Sequence, residues 1–256
     1  MSQIYDAFTF FNEIELLDLR LHHLYDTVDY FVIIEGDHTF SGKPIPSLIK
    51  RHSKNFEWAK DKIRHYIIPL NPNPISRWDN EATQRDGLIE GLHDAKPNDI
   101  ILQGCVDEIP RVEVLKEYHD NKIYTLELDN FYYYLNGKDI GASAKYPCPV
   151  LTRKKNITNG IHNLWLKRYD YPFIHNAGWH FSYTGGIDTI IEKLESASHS
   201  EIDTPFYKDK ERLEMALDMG KDFLDRTDHE FEYIKIDKTF PEYLQKNIKK
   251  YERLIK

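Results

Sequence analysis

Cysteine is scarce in this chain: its 256 residues include only Cys105 and Cys148. Two cysteines exclude a disulfide framework and are consistent with a reducing compartment, so we expect both thiols to be free. Basic residues are not in excess either, since the formal net charge is -8. Affinity for nucleic acid comes from clustered Lys and Arg, and this charge therefore argues against a nucleic-acid partner.

Long hydrophobic runs are also missing. No stretch approaches the ~18 apolar residues that a membrane span needs, and the first residues do not show a basic segment followed by a hydrophobic core. The sequence therefore predicts neither a standard secretion signal nor a membrane-spanning helix. The matching expectation for location is the cytoplasm. No pattern in the sequence specifies an oligomeric state.

Alternating strand and helix patterns fill the first 105 residues. Apolar runs predict strands at 4–11, 29–35, 62–70 and 98–104, and helical periodicity predicts helices at 12–24 and 76–93. Strands that alternate with helices of this length form βαβ units. The predicted fold class is therefore α/β, with a mostly parallel central sheet and helices on both faces.

After Pro110 the pattern becomes less regular. A helix to about residue 119 precedes a long β-type run at 122–135, irregular sequence up to 174 and a strand-like run at 179–183. Further helices are predicted at 187–196 and from Thr204 to near Gly220. The chain contains no internal repeat, low-complexity tract or clear linker, so residues 1–256 are predicted to form one domain.

The most informative segment is 99–110, in which a buried-type apolar run ends in Asp107, Glu108 and then Pro110. In an open α/β sheet, ligands bind beyond the carboxyl ends of the strands, so the two acids mark a candidate ligand site. Hard divalent cations prefer carboxylate oxygens and can link them to a diphosphate, which predicts a site for a metal ion and a nucleotide-sugar. The alternative is the start of a helix, because proline and acids are both favoured in a first helical turn. The segment alone leaves both interpretations open.

Short islands of sequence occur in a characteristic order: Phe-Phe-Asn-Glu at 10–13, Val-Asp-Tyr-Phe-Val at 28–32, Thr-Phe-Ser-Gly-Lys-Pro at 39–44, Gln-Arg at 84–85, Val-Asp-Glu-Ile-Pro at 106–110 and Gly-Trp-His-Phe-Ser-Tyr at 178–183. Together they resemble glycosyltransferase family 17, in its short bacterial or viral type, over about residues 4–220. The resemblance implies an inverting transfer of N-acetylglucosamine from a UDP-sugar donor to a hydroxyl of a glycan acceptor, with Mn²⁺ or Mg²⁺. It also implies a GT-A-like single domain with a Rossmann-like nucleotide-sugar half (1–120), an acceptor-side half (121–225) and a C-terminal helical extension (226–256).

One position departs from the family. Its members commonly carry Asp-x-Asp-Glu-Ile-Pro, whereas Cys105 replaces the first acid here. In GT-A enzymes the last Asp of such a motif is usually a direct metal ligand, so the resemblance makes Asp107 the expected ligand, and a thiolate beside it would favour softer ions. His180 is the expected second ligand by analogy with the C-terminal histidine of several GT-A families. Its alternative is a packed residue between two aromatic neighbours.

The other site residues are predicted by role. Guanidinium groups bind phosphate oxygens well, so Arg85 is predicted to contact the diphosphate, and its alternative is an ion pair with Glu81. Residues at the end of a strand can contact the nucleotide, so Asn12 and Glu13 are predicted to do so, and their alternative is helix capping. The inverting transfer needs one general base, for which four carboxylates are candidates in no order: Glu35, Glu108, Asp129 and Asp188. The donor is expected to contact Phe10, Asn12, Glu13, Arg20, Lys43, Arg85, Cys105 and Val106, and the acceptor Tyr133, Trp179 and Tyr183.

Two other functions remain open at this point. The first is a catalytically silent carbohydrate-binding protein of the same fold, in which Cys105 marks a lost metal site. Such a protein would bind a glycan but would not release UDP. The second is a retaining transferase or a phosphotransferase on the same sheet.

Overall fold

A computed structural model describes residues 2–256, and strands alternate with helices through its first part. The helix predicted at 76–93 is divided, because an α-helix passes directly into the 3-10 helix Gly87–Leu92. The elements of this part are β1 (Ile4–Thr9), α1 (Ile14–Leu24), β2 (Tyr30–Gly36), α2 (Leu48–Arg51), the 3-10 helix Ser53–Ala59, β3 (Ile63–Ile68), α3 (Arg77–Asp86) and β4 (Ile100–Cys105).

The second part is richer in short strands. The segment 226–256, predicted to be a helical extension, contains one strand in addition to two short helices. The elements are β5 (Glu108–Pro110), α4 (Val112–Glu117), β6 (Tyr124–Tyr132), β7 (Gly137–Asp139), β8 (Lys145–Arg153), α5 (Ile161–Leu166), β9 (Phe173–Ile174), β10 (Gly178–Ser182), α6 (Ile187–Ser196), α7 (Lys210–Met219), β11 (Phe231–Tyr233) and α8 (Glu242–Lys246), with 3-10 helices at Lys154–Asn156, Ser200–Ile202 and Ile248–Leu254.

The strands form one mixed sheet, so the prediction of a mostly parallel sheet is wrong. Its main path runs β11-β7-β6-β8-β4-β1-β2-β3. β4, β1, β2 and β3 are parallel, as the βαβ pattern predicts, but β8 is antiparallel to both β4 and β6. Parallel neighbours need a long crossover, usually a helix, whereas the chain between β6 and β8 holds only the short β7 and loops. The strands of the second part therefore pair mainly by antiparallel returns.

Both faces of the parallel strands are covered. Phe8 of β1 packs with Leu17 and Leu21 of α1 on one face, while Tyr5 and Ala7 pack with the 3-10 helix Gly87–Leu92 on the other. This alternation follows from the two-residue period of a strand. None of the helices within residues 2–256 is both long and apolar enough to cross a membrane.

β10 connects the second part of the chain to the end of β4. It pairs with β6 in parallel and with β5 in antiparallel register, which sets His180 opposite both Glu108 and Asn130. The backbone N–H of Phe181 also donates to the carbonyl oxygen of Asp107 at 2.9 Å. Pairing of distant strands therefore brings His180 next to the turn that follows β4.

Candidate active site

The carboxyl ends of β1, β2 and β4 open into a cleft of about 750 Å³. Residues of α3 and α6 form further parts of its wall. This is the edge of a parallel sheet at which ligands bind in open α/β folds. The turn after β4, which carries Cys105, Val106, Asp107 and Glu108, lies in the lining of the cleft.

Arg20 is buried beneath this turn, on the side away from the cleft, and bonds to its backbone. Its side chain is fully buried and donates two hydrogen bonds to Asp6, at 2.8 and 2.6 Å. Its Nη1 also donates to the carbonyl oxygens of Cys105 and Glu108, both at 2.7 Å, and of Val106 at 3.3 Å. Bidentate, charge-assisted contacts of this kind are strong and directional, so Arg20 fixes the backbone of 105–108.

The same turn decides between the two interpretations of the acidic segment. α4 begins at Val112 with Arg111 as its N-cap residue, and β5 intervenes between the acids and this helix. Asp107 and Glu108 therefore do not lie in a first helical turn. Their alternative role as helix-capping acids is excluded.

Asp107 is a nearly buried carboxylate with a cation beside it. Its Oδ2 lies 3.1 Å from the ammonium nitrogen of Lys193 and 3.7 Å from Nε2 of His180. Burial would raise the pKa of Asp107, but the charge of Lys193 outweighs it and holds this pKa below its ordinary value. Asp107 is consequently ionised at neutral pH.

The tautomer of His180 follows from a chain of hydrogen bonds. Nδ2 of Asn130 lies 3.0 Å from the Asp139 carboxylate, which only accepts, so Oδ1 of Asn130 faces His180. That oxygen lies 2.9 Å from Nδ1 of His180. The network therefore assigns the proton of the ring to Nδ1 and leaves the lone pair of Nε2 directed toward Asp107.

Burial supports the same assignment. It lowers the pKa of His180 to about 4, although Asp107 acts in the opposite direction, so the ring is neutral at pH 7. The ring of Tyr146 stacks on it with centroids 3.8 Å apart. The imidazole is thus held in one orientation and in the form that binds metal ions.

The metal-binding capacity of the turn can be tested from its donor set. Cys105, Asp107 and Glu108 bring ligand atoms within 4.8 Å of one another. Burial, reinforced by the charge of Glu108, raises the pKa of Cys105 to about 12, so residue 105 is a thiol at neutral pH and a poor ligand. Glu108 accepts a hydrogen bond from the Cys105 N–H at 2.7 Å and is 1% exposed. Asp107 and His180 therefore form the pair that fits a divalent ion.

Arg85 lies in the lining of the cleft and has buried hydrogen-bond donors that are not used. It is 3% exposed, donates from Nη2 to Glu81 at 2.9 Å and reaches Sγ of Cys105 at 3.6 Å. Its Nε and Nη1 are enclosed and have no partner among residues 2–256. Buried donors are normally satisfied, and an unpaired guanidinium edge in a cleft is suited to an anion. Its carbon Cζ also lies 4.7 Å from the centroid of the Trp165 ring.

The family model for glycosyltransferase family 17 matches residues 1–254. The chain belongs to glycosyltransferase family 17. It is 27% identical over 238 residues to the beta-1,4-mannosyl-glycoprotein 4-beta-N-acetylglucosaminyltransferase of Rattus norvegicus and to that of Homo sapiens, and these matches cover 78% of this chain. They cover only 43% and 44% of the two relatives, so the chain spans less than half their length. The resemblance that the sequence islands indicated is thereby confirmed.

Within this family 17 chain, about half of the predicted site residues line the cleft. Glu108 is the one of the four candidate bases that does so, and its hydrogen bond to the backbone of the turn already uses one carboxylate oxygen. The roles predicted for the residues that line the cleft stay predictions. Those in the lining are Phe10, Glu13, Arg85, Cys105, Val106, Asp107, Glu108, His180 and Tyr183.

Three of the candidate bases lie elsewhere. Glu35 is buried and bonded to Ser47 and His65, while Asp129 forms an ion pair with Lys145. The side chain of Asp188 is 89% exposed and pairs with Lys210 on the surface. The sequence placed Glu35 at a strand end, Asp129 within a Tyr-rich β-type run and Asp188 after a double glycine, but only side-chain packing decides which surface they face.

The remaining predicted contacts also have other partners. Asn12 donates to Glu192 at 2.7 Å, and the side chain of Lys43, 62% exposed, pairs with Glu195. Two aromatic candidates for the acceptor lie in the core: the hydroxyl of Tyr133 donates to the carbonyl oxygen of Lys221, and the indole N–H of Trp179 donates to that of Thr239. Arg20, enclosed below the turn, is likewise outside the lining.

Several residues of the site were missed at the sequence level. Lys193 lies on the polar side of a helix whose apolar residues, Ile190 and Leu194, marked its core face, and such lysines are usually solvated. Asn130 and Tyr146 lie in β6 and β8, where alternation predicts the facing side but not the partner. No local signal could have found these three.

Proposed function

We propose that the protein transfers N-acetylglucosamine from UDP-N-acetylglucosamine to a hydroxyl of a glycan acceptor, with inversion and with Mn²⁺ or Mg²⁺. Family membership supports the transfer of a sugar, and the names of the two relatives support N-acetylglucosamine as the sugar. The observation that carries the proposal is the guanidinium group of Arg85, which has two unsatisfied buried donors and lies in the lining of the same cleft as the Asp107 and His180 pair.

Arg85 is suited to the diphosphate of the donor. A phosphate oxygen would satisfy Nε and Nη1, whose lack of a partner is otherwise costly in a buried group. Glu81 neutralises the guanidinium from the side of Nη2 and orients it. Arg85 would thus stabilise the negative charge that develops on the leaving UDP.

Asp107 and His180 would hold the divalent ion. When bound, the ion would supply further positive charge to the diphosphate, as a Lewis acid. The residues contribute one anionic oxygen and one neutral nitrogen, a donor set that suits Mn²⁺ better than Ca²⁺. Tyr183 and Tyr146 lie in the lining of the same cleft and would help to exclude water from it.

The test is UDP release from UDP-N-acetylglucosamine in the presence of a panel of glycans, with Mn²⁺ or with EDTA. Asp107→Asn and Arg85→Met should each lower the rate at least about 100-fold, about 2.7 kcal/mol in the activation barrier. Arg51→Met, a substitution of an exposed arginine, is the control and should leave the rate unchanged. Thermal melting with and without UDP separates binding from turnover.

Two results would overturn the proposal. If UDP does not stabilise the protein against thermal unfolding, either with or without Mn²⁺, the assignment of a UDP-sugar as the donor is wrong. Binding of a glycan with no UDP release from any tested donor, and no effect of Asp107→Asn, would instead indicate a carbohydrate-binding protein.

A further inference from the structure

Lys193 occupies an unusual place for a lysine of an amphipathic helix. Its side chain is 25% exposed and enters the cleft, where Nζ lies 3.1 Å from Oδ2 of Asp107 and 3.5 Å from Oε1 of Glu13. The ring of Tyr183 lies below the ammonium group, 5.2 Å from its centroid. The ammonium group thus pairs with two carboxylates, those of Asp107 and Glu13.

The ammonium group contacts the oxygen that a metal ion would need. Oδ2 is the oxygen of the Asp107 carboxylate that pairs with Nζ of Lys193 and also with Nε2 of His180. A divalent ion that joined Asp107 to His180 would lie next to Nζ, and at this depth their repulsion is only weakly screened. Lys193 and the ion thus compete for one carboxylate. Glu13 is a second anionic partner of Lys193, so the lysine can break its contact with Asp107 and still remain paired.

The charges of the site favour joint binding of ion and nucleotide. Asp107 and Glu13 are already paired with Lys193, and Arg85 is paired with Glu81. A divalent ion alone would add two positive charges beside these two cations. A diphosphate that arrives with the ion compensates this charge and offers oxygens to both cations, which is the less costly way to bury them.

We propose that Lys193 is the resident counter-ion of Asp107 and makes binding of the divalent ion depend on the nucleotide. The inference rests on the proposed function, because it assigns to that site an order of assembly. In the nucleotide-free protein Lys193 blocks the metal site. When UDP is present, Lys193 would turn to the phosphate oxygens and to Glu13, which leaves Asp107 and His180 able to hold the ion.

The experiment measures Mn²⁺ binding by the electron paramagnetic resonance signal of free Mn²⁺, with and without UDP. In the unsubstituted protein, UDP should tighten Mn²⁺ binding at least about tenfold, or about 1.4 kcal/mol. Lys193→Met should bind Mn²⁺ at least about tenfold more tightly than the unsubstituted protein when UDP is absent, and UDP should then add little. Lys193→Arg keeps the charge and should behave like the unsubstituted protein.

Lys208→Met is the matched control. Lys208 has a side chain 24% exposed and also joins two carboxylates, Glu195 and Asp203, but it does not contact Asp107. Its loss changes the net charge by the same amount and should leave Mn²⁺ binding unchanged. Lys193→Gln serves if the methionine variant does not fold, as judged by thermal melting.

Equal Mn²⁺ affinity in Lys193→Met and the unsubstituted protein without UDP would overturn the inference, as would equal tightening in Lys208→Met. Either result leaves the proposed function intact if UDP still binds and is released. Failure of the unsubstituted protein to bind UDP at all would instead remove the proposed function. The two failures are therefore distinguishable.

Discussion

The largest effect on stability is expected at Arg20. Arg20→Met replaces a fully buried guanidinium by an apolar side chain of similar length. The substitution removes both hydrogen bonds to Asp6 and all three to the carbonyl oxygens of the turn 105–108. Asp6 is then left as a buried charge without its cation.

The magnitude follows from these contacts. Removing one partner of a buried ion pair costs about 3–5 kcal/mol, because the remaining charge is uncompensated. Carbonyl oxygens that lose their donor inside the protein add about 1–3 kcal/mol. Arg20→Met should therefore lower the free energy of unfolding by about 4–8 kcal/mol, a large part of the ~5–15 kcal/mol of a typical domain.

Urea unfolding followed by circular dichroism measures this change. Arg253→Met is the control, since Arg253 pairs with Glu15 on the surface, with side chains 60% and 41% exposed, and such pairs contribute only about 0–1 kcal/mol. The double variant Asp6→Leu, Arg20→Met removes both charges and should be less destabilised than Arg20→Met alone. A loss below about 2 kcal/mol in Arg20→Met, or a double variant at least as unstable as the single one, would refute this account of the turn.

Three further substitutions have defined outcomes. Gly104→Ala should lower the free energy of unfolding by about 1–3 kcal/mol in urea titrations, because the new Cβ would lie 2.4 Å from Oε2 of Glu108. Burial lowers the pKa of His23 from 6.5 to about 4, so the unfolded chain takes up the proton at a higher pH than the folded one. The free energy of unfolding therefore falls as the pH drops from about 6.5 to 4. His23→Gln should abolish up to about 3 kcal/mol of this loss, measured by unfolding at pH 7 and 4.5. Cys105→Asp should weaken UDP binding in EDTA at least about tenfold by calorimetry, since a second carboxylate beside Nη2 of Arg85 would neutralise the guanidinium and repel the diphosphate, whereas Cys105→Ser should not.

Sequence patterns were sufficient where structure depends on neighbours along the chain. The apolar run 100–102 predicted β4, and the acids after it marked the edge at which the cleft opens, because the carboxyl end of a parallel strand is a local property. The helix that carries Arg20 also held a usable signal: leucines surround Arg20 on all sides of α1, so the charge had to be buried and paired. A partner in β1 could not be named from that pattern.

What the sequence could not show depends on pairing between distant segments. The antiparallel insertion of β8 between β4 and β6 joins residues 16 to 53 positions apart, and no local propensity encodes that order. The same holds for His180, whose orientation depends on Asn130 in a neighbouring strand. It holds most clearly for Lys193, which reaches Asp107 and Glu13 across the cleft from another helix.

Cys105 looked like the weakest point of the predicted site, and the structure gives it a coherent physical meaning. A carboxylate at this position would face Nη2 of Arg85, which already donates to Glu81, and would give the guanidinium a second anionic partner. The neutral thiol accepts only weak contacts, from Arg85 at 3.6 Å and from Thr9 at 3.4 Å. Without an acid at position 105, the positive charge of Arg85 is less compensated within the protein and is more favourable for an anionic ligand. Under the proposed function, Asp107 would keep the metal-binding role, and Arg85 would gain in phosphate binding what the turn has lost in negative charge.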